Sequence, residues 1–309
     1  MNGHIPVLLK EAIELLNIKS DGVYVDCTLG RGGHSSEILQ RIPHGKLIAF
    51  DQDAEALASS KERLEAIGSN FILVKDNFRN LCENLDRLGI EKVDGILYDL
   101  GVSSPQFDEP ERGFSYRADG PLDMRMDLDS SLTAYDVVNT YPERRIERIL
   151  RDFGEEKDAR RIAHLIGEKR KEQPIRTTFE LVDIIKEAKP MRELLKKGHP
   201  AKQSFQALRI EVNQEEEALL KALMEAPSRL KKGGRLAIIT FMSLDDRLVK
   251  RRFKELTTIE GDRQGYELPG EIKKAEYQLV TKKAVLPGEN ELQENRRSQS
   301  AKLRAIERL

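Results

Sequence analysis

The chain has 309 residues, enough for one large domain or two smaller ones, and 39% hydrophobic against 34% charged residues describes a surface-rich protein with a modest core. Lys and Arg total 52 against 53 Asp and Glu, so no global positive field exists to steer nucleic acid, and any basic patch must be local. Cys27 and Cys82 are the two cysteines, with no C-x-x-C and no His/Cys cluster, which argues against structural zinc and a disulfide framework, and no metal ligands are assigned. No apolar run is long enough to span a bilayer and the N-terminus lacks a signal-peptide core, so a cytoplasmic protein in a reducing compartment, with no membrane partner, is expected.

In chain order, His4-Ile5-Pro6-Val7-Leu8-Leu9 runs into a helical pattern of Leu8, Ala12, Leu15 and Leu16. A short apolar strand, 23–26, ends at Asp26, and a glycine-dense turn follows: Cys27-Thr28-Leu29-Gly30-Arg31-Gly32-Gly33-His34-Ser35. Glycine at such a turn lets the backbone bend sharply and touch a ligand, and the helix start predicted from Ser36 offers unpaired N–H groups. A second strand, 47–50, ends at Asp51, 21 positions after Gly30. That is close to the spacing of about 20 at which an acid at the end of strand two binds ribose hydroxyls. A helix over 54–66, a strand over 71–74 ending at Asp76-Asn77-Phe78, a helix over 81–88 and a strand over 93–98 ending at Asp99 complete four β-α alternations. They predict a doubly wound parallel sheet.

After Asp99 the pattern breaks. Residues 101–131 carry Gly101, Pro105, Pro110, Gly113, Gly120 and Pro121 and read as a long polar loop, while Phe107, Phe114, Tyr116, Met124 and Met126 argue that it is ordered. From 133 to about 198 the periodicity is helical only, with a Thr177/Glu180 capping box ahead of Leu181. Positive charge concentrates there in Arg160, Arg161, Lys169, Arg170 and Lys171, then Lys186, Lys189, Arg192, Lys196 and Lys197. These form either solvated helix faces or a phosphate-facing strip. One helix over 204–223 is expected to rejoin the sheet, followed by a strand over 235–241 and two terminal runs, 277–283 and 301–308.

The turn fits a dinucleotide only loosely, because the G-x-G-x-x-G/A pattern counted from Gly30 places Ser35 at its third small position. An S-adenosylmethionine site has no pyrophosphate to cradle and suits the acid-leading D-x-x-x-G-x-G-G turn better. The terminal strand pair, with its last strand antiparallel, tips the choice the same way.

Several stretches together resemble one family, the bacterial 16S ribosomal RNA cytosine-N4 methyltransferases (RsmH, also called MraW). They are His4 to Leu9, Asp26 to Ser35, Asp99-Leu100-Gly101-Val102-Ser103-Ser104-Pro105-Gln106, Glu111 to Ser115, and Asp119-Gly120-Pro121-Leu122-Asp123-Met124-Arg125-Met126-Asp127. Phe205 to Ile210, Ser243-Leu244 with Asp246-Arg247, and Ser300 to Arg304 complete the match. The resemblance covers essentially the whole chain. It implies a Rossmann-like class I S-adenosylmethionine-dependent α/β fold with an inserted all-helical domain: residues 1–107 and 201–309 as the methyltransferase domain, and 108–200 as the RNA-recognition part. It implies methylation of the N4 amine of a cytidine, cytidine 1402, in 16S rRNA near the decoding centre.

Carried over position by position, the family places Gly32, Gly33 and His34 along the methionine and ribose side and Asp51 on the ribose hydroxyls. Phe78 would lie on the adenine, with an ordinary core aromatic as its alternative, and Asp99 and Gln106 would close the pocket near the sulfonium. Asp99 is also the catalytic candidate, as acceptor for the amine. Arg112, Arg125 and Arg209 are RNA-contact candidates, each with an alternative as an internal ion-pair partner. The expected partner is 16S rRNA, within the 30S subunit, with a homodimer left open. Met242, Lys202-Gln203-Ser204 and Asn295 to Ser300 depart from the family pattern. Two rival readings remain: a diverged paralogue methylating another site, and a non-catalytic rRNA-binding assembly factor.

Overall fold

The structure is a computed structural model, and it describes residues 6–258 and 275–309; His4 and Ile5 of the opening run lie outside the described residues. In chain order the first half contains α1 (Leu9–Leu16), β1 (Val23–Asp26), α2 (Gly33–Arg41), β2 (Lys46–Asp51), α3 (Ala54–Glu65), β3 (Phe71–Lys75), α4 (Leu81–Arg87) and β4 (Val93–Asp99). Then come α5 (Ser104–Asp108), α6 (Ala134–Thr140), α7 (Glu143–Gly154), α8 (Ala159–Glu172), α9 (Thr178–Ala188), α10 (Met191–Leu194) and α11 (Lys202–Asn213). The chain ends with α12 (Glu215–Glu225), β5 (Leu230–Thr240), α13 (Ser243–Thr257), β6 (Tyr277–Leu279), α14 (Glu289–Glu294) and β7 (Lys302–Arg308). It folds into two compact units, one of residues 1–101 with 217–309, the other of residues 102–216.

The first unit is built on a seven-stranded sheet in the order β3-β2-β1-β4-β5-β7-β6. Strands β1 to β5 run parallel, and β7 enters antiparallel to both β5 and β6. A terminal strand pair with an antiparallel last strand is what the sequence led one to expect. Alternate residues of a strand face opposite sides, so each strand feeds two cores. Val25, Ile48, Ile96 and Ile238 pack with Leu81 and Leu85 of α4, Leu219 of α12 and Val249 of α13. Leu47, Ala49, Leu97 and Ile239 pack with Ile13 and Leu16 of α1, Ile38 of α2 and Leu64 of α3. Burial on both faces explains why these strands read as unbroken apolar runs.

Two strands differ from expectation. β5 begins at Leu230 rather than 235, because Val93 pairs with Leu230 and Gly95 with Arg235, and the residues between bulge through Gly233 at φ 75°. β6 stops at Leu279 because Val280 and Thr281 both donate to the Ala305 carbonyl while the Thr281 hydroxyl accepts the Ala305 N–H, which ends the regular ladder. No helix among the described residues is long and apolar enough to cross a membrane.

The second unit is helical. Ile146, Ile149 and Leu150 of α7, Ile162 and Ile166 of α8, Leu181 and Ile185 of α9, and Phe205 and Leu208 of α11 form one core. Phe114, Leu122, Met124 and Met126 from the long loop are buried in it, which is why a segment with so many turn signals is nevertheless held. Asn213 fastens the loop further: its carbonyl oxygen accepts from Met126 N–H at 2.7 Å and its amide donates to Met124 O at 2.8 Å. The single helix expected over 204–223 is two, because Gln214 adopts a left-handed conformation at φ 50° that closes α11.

Candidate functional site

In an open parallel sheet the ligand crevice lies beyond the carboxyl ends of the strands, where the strand order reverses. Here that point is between β1 and β4, and Asp26, Asp51 and Asp99 end β1, β2 and β4 around it. The backbone enters the intervening turn through Gly30 at φ 50° and leaves through Gly32 at φ 72°, the N-cap of α2, so both positions favour glycine. Gly33 answers a different demand. A Cβ there would sit 2.1 Å from Cγ of Pro6, so its hydrogen makes room for the N-terminal segment.

The acids hold the turn by accepting its N–H groups. Asp51 accepts from Gly30 N–H at 2.8 Å and from Asp53 N–H at 2.9 Å. Asp26 accepts from the Ser35 hydroxyl at 2.6 Å and from Thr28 N–H at 3.1 Å. The Thr28 hydroxyl accepts the backbone N–H of Asp99 at 2.7 Å, tying the β4 end to the turn. Neither Asp26 nor Thr28 was among the expected site residues, although Asp26 stands in the turn's own sequence and is 1% exposed.

The Asp99 side chain differs from its neighbours. Its Oδ1 is buried and has no hydrogen-bond partner among the described residues, while 24% of the side chain stays open. Its Oδ2 lies 3.7 Å from Nδ1 of His34, too long for a hydrogen bond. His34 is buried, and its Nε2 lies 3.2 Å from the Val7 carbonyl, so that nitrogen carries the hydrogen and Nδ1 is turned toward the carboxyl. Burial pushes Asp51 and Asp99 each up to about 6, with the Asp51 hydrogen bonds and the His34 ring partly offsetting it. Asp26 is raised from the ordinary range by the same cause. Charged carboxylates are therefore costly here, and a cationic ligand relieves that cost.

Phe78 opens the turn after β3 and meets Tyr98 edge-on, with ring centroids 5.3 Å apart. Asp76, which the sequence reading used only as a flank, organises that turn. It accepts from Asn77 N–H at 2.7 Å, from the Asn80 amide at 2.8 Å and from the Asn84 amide at 2.7 Å. Gln106 belongs to the second unit, where it is buried and its side-chain oxygen accepts Ser103 N–H at 3.2 Å in a capping box at α5.

Of the three arginines expected to contact RNA, Arg112 is buried and Arg125 and Arg209 are half-buried, each with acceptors in the second unit. Arg112 is 6% exposed and donates to the carbonyls of Arg125 and Met126 at 3.1 and 3.2 Å. Arg125 grips Asp123 through two bonds of 2.9 and 2.8 Å and donates to Leu128 O and Ser130 O. Arg209 pairs with Glu215 at 2.8 and 3.0 Å. These contacts brace the loop and the α11 end from inside the second unit. Lys189 likewise leaves the basic strip: it is buried against Glu156 at 2.8 and 2.9 Å. Among the described residues no group of three or more His, Cys, Asp or Glu is placed to hold a metal ion.

The model of the MraW methylase family matches residues 1–309, the full length. The chain belongs to that methylase family. Two relatives named ribosomal RNA small subunit methyltransferase H are half identical to it. The one from Clostridium botulinum (strain Kyoto / Type A2) is 52% identical over 307 residues, 99% of each chain. The one from Clostridioides difficile (strain 630) is 50% identical over 307 residues, again 99% of each. With a match end to end, the MraW methylase assignment embraces both units, the helical one as well as the sheet.

Proposed function

We propose that this MraW-family chain transfers the methyl group of S-adenosylmethionine to the N4 amine of a cytidine, cytidine 1402, in the 16S rRNA of the small ribosomal subunit. The observation that carries the reading is the buried Oδ1 of Asp99 at the end of β4, without a partner among the described residues and beside a glycine turn ringed by acids. When bound, S-adenosylmethionine supplies an electrophilic methyl on a positively charged sulfur. Asp26, Asp51 and Asp99 suit a cation, because each is held above its ordinary pKa by burial. Asp51 is the acceptor for ribose hydroxyls, Gly32 and the α2 start border the methionine side, and Phe78 offers a ring to the adenine.

The exocyclic amine of cytosine is a weak nucleophile, since its lone pair is delocalised into the ring. Asp99 answers this by accepting an N4 hydrogen, which turns the lone pair toward the methyl and holds the amine in line. Positioning of this kind supplies about 7–11 kcal/mol of a barrier. With the donor bound, the S–C electron pair would stay on sulfur as the N–C bond forms, and Asp99 would take the proton that N4 loses. The base reaches such a pocket as an unpaired, splayed nucleotide.

The test is incubation of the purified protein with labelled donor and 30S subunits, free 16S rRNA or tRNA, followed by nucleoside digestion and mass spectrometry. N4-methylcytidine in a decoding-centre fragment is expected. Label appearing only in tRNA, or no transfer to any RNA despite donor binding, overturns the reading.

A further inference from the structure

The second unit contains an aromatic pile whose outer member is a histidine. The Tyr116 ring lies on the His199 imidazole with centroids 4.5 Å apart and planes 21° apart. Beneath them, buried Phe205 meets Tyr116 edge-on at 5.7 Å, and half-buried Phe107 does so at 6.1 Å. His199 sits between α10 and α11, after Gly198 at φ 109° and before Pro200. Its Nδ1 accepts the Ala201 N–H at 3.2 Å, which fixes the ring and leaves the hydrogen on Nε2, an atom with no partner among the described residues. Partial burial and the nearby charges of Lys186 and Arg117 push the imidazole below its ordinary pKa, which favours the uncharged ring.

A half-exposed, immobilised, uncharged aromatic face is unusual on a helical unit otherwise covered in ion pairs. Around it lie cations without acidic partners. The guanidinium of Arg117 stands 5.9 Å from the Tyr116 ring centroid, and exposed Arg117, Lys197 and Lys202 carry no ion pair among the described residues. Most other basic residues nearby are already matched: Lys186 with Asp183, Lys196 with Glu193. A flat neutral face rimmed by unmatched cations is the chemistry that takes a nucleobase and its phosphates.

We propose that Tyr116 and His199 form a stacking platform for one unpaired base of the RNA substrate, laid on the outer face of the imidazole, with Arg117, Lys197 and Lys202 contacting the adjoining phosphates. This rests on the RNA-methyltransferase reading above. The structural alternative is that the pile only pins the 198–200 corner to the loop, in which case removing the ring costs stability and leaves RNA affinity alone.

The chain contains no tryptophan, so His199→Trp places a single indole at the platform. Its emission is expected to be quenched when a single-stranded fragment of 16S rRNA is added. His199→Ala is expected to weaken binding of that fragment and of 30S subunits about 5- to 100-fold. His199→Phe, which keeps a flat ring, is expected to bind like the parent. Donor affinity by calorimetry stays unchanged in all three and reports a folded first unit. Parental RNA affinity in His199→Ala, or indole emission unmoved by saturating RNA, overturns the platform. A parent protein that binds the fragment through His199 but never methylates ribosomal RNA leaves the platform standing and sinks the functional reading; a parent that binds no RNA sinks both.

Discussion

Replacing Asp99 with asparagine isolates the electrostatic character of the site. Burial, with Asp26 adding and His34 offsetting, raises the carboxyl from 3.8 to about 6. A folded-state pKa above the unfolded value means the folded chain favours the protonated acid. The stabilising contribution is present below pH 3.8 and is lost as pH rises through about 6. Above that the ionised carboxylate costs about 3 kcal/mol, at about 1.4 kcal/mol per pH unit. Asp99→Asn removes the charge and gives up no side-chain hydrogen bond among the described residues, since Oδ1 has none there and Oδ2 stands 3.7 Å from Nδ1 of His34. Allowing for an imperfectly satisfied amide, the ligand-free variant should be more stable by about 1–3 kcal/mol at pH 7.5, with the advantage gone by about pH 4. Chemical denaturation of both proteins at the two pH values measures this. Methyl transfer by the same variant should fall at least about 100-fold, because the amide cannot take the proton. A variant less stable than the parent at pH 7.5, or equally favoured at both pH values, would refute the buried-charge account.

The remaining expectations concern single contacts. Gly33→Ala drives a methyl to 2.1 Å from Pro6 and should cost about 1–3 kcal/mol in a denaturant titration. Lys189→Met strands Glu156 in the core of the second unit and should cost about 3–5 kcal/mol, with Lys189→Met/Glu156→Gln recovering much of it and RNA affinity unaltered throughout. Arg112→Ala should lower thermal stability yet leave the salt dependence of RNA binding as it is, whereas Arg117→Ala should reduce the slope of log K against log salt by about one.

The sheet was legible because its signals are local and redundant. Each of β1, β2 and β4 is an apolar run closed by an acid, and buried parallel strands tolerate little else. The glycine turn was equally plain, since Gly30 and Gly32 need positive φ. What the sequence left ambiguous was the partner of each charge. Arg112, Arg125 and Arg209 carry the same residue type whether they face phosphate or carbonyl oxygen, and only the packed loop shows that Met126 O, Asp123 and Glu215 take their hydrogens. Lys189 was hidden for the same reason, its acid lying 33 positions away in sequence. His199 escaped notice because a lone histidine after glycine carries no periodic signal. Its meaning comes from Tyr116, which lies on a distant part of the chain.

The two kinds of charge in this protein therefore do opposite work. In the helical unit, Arg112, Arg125, Arg209 and Lys189 each find an acceptor inside the fold, carbonyl oxygens for Arg112 and carboxylates for the other three. At the sheet ends burial raises the carboxyls of Asp51 and Asp99 above their ordinary range, and neither forms an ion pair with Lys or Arg among the described residues. A site of that kind favours a ligand that arrives positive and departs with less charge. The proposed methyl transfer would fit this, since the sulfur would gain an electron pair and Asp99 would take the released proton. On the proposed function, the buried acids would favour the cationic donor over its neutral demethylated product.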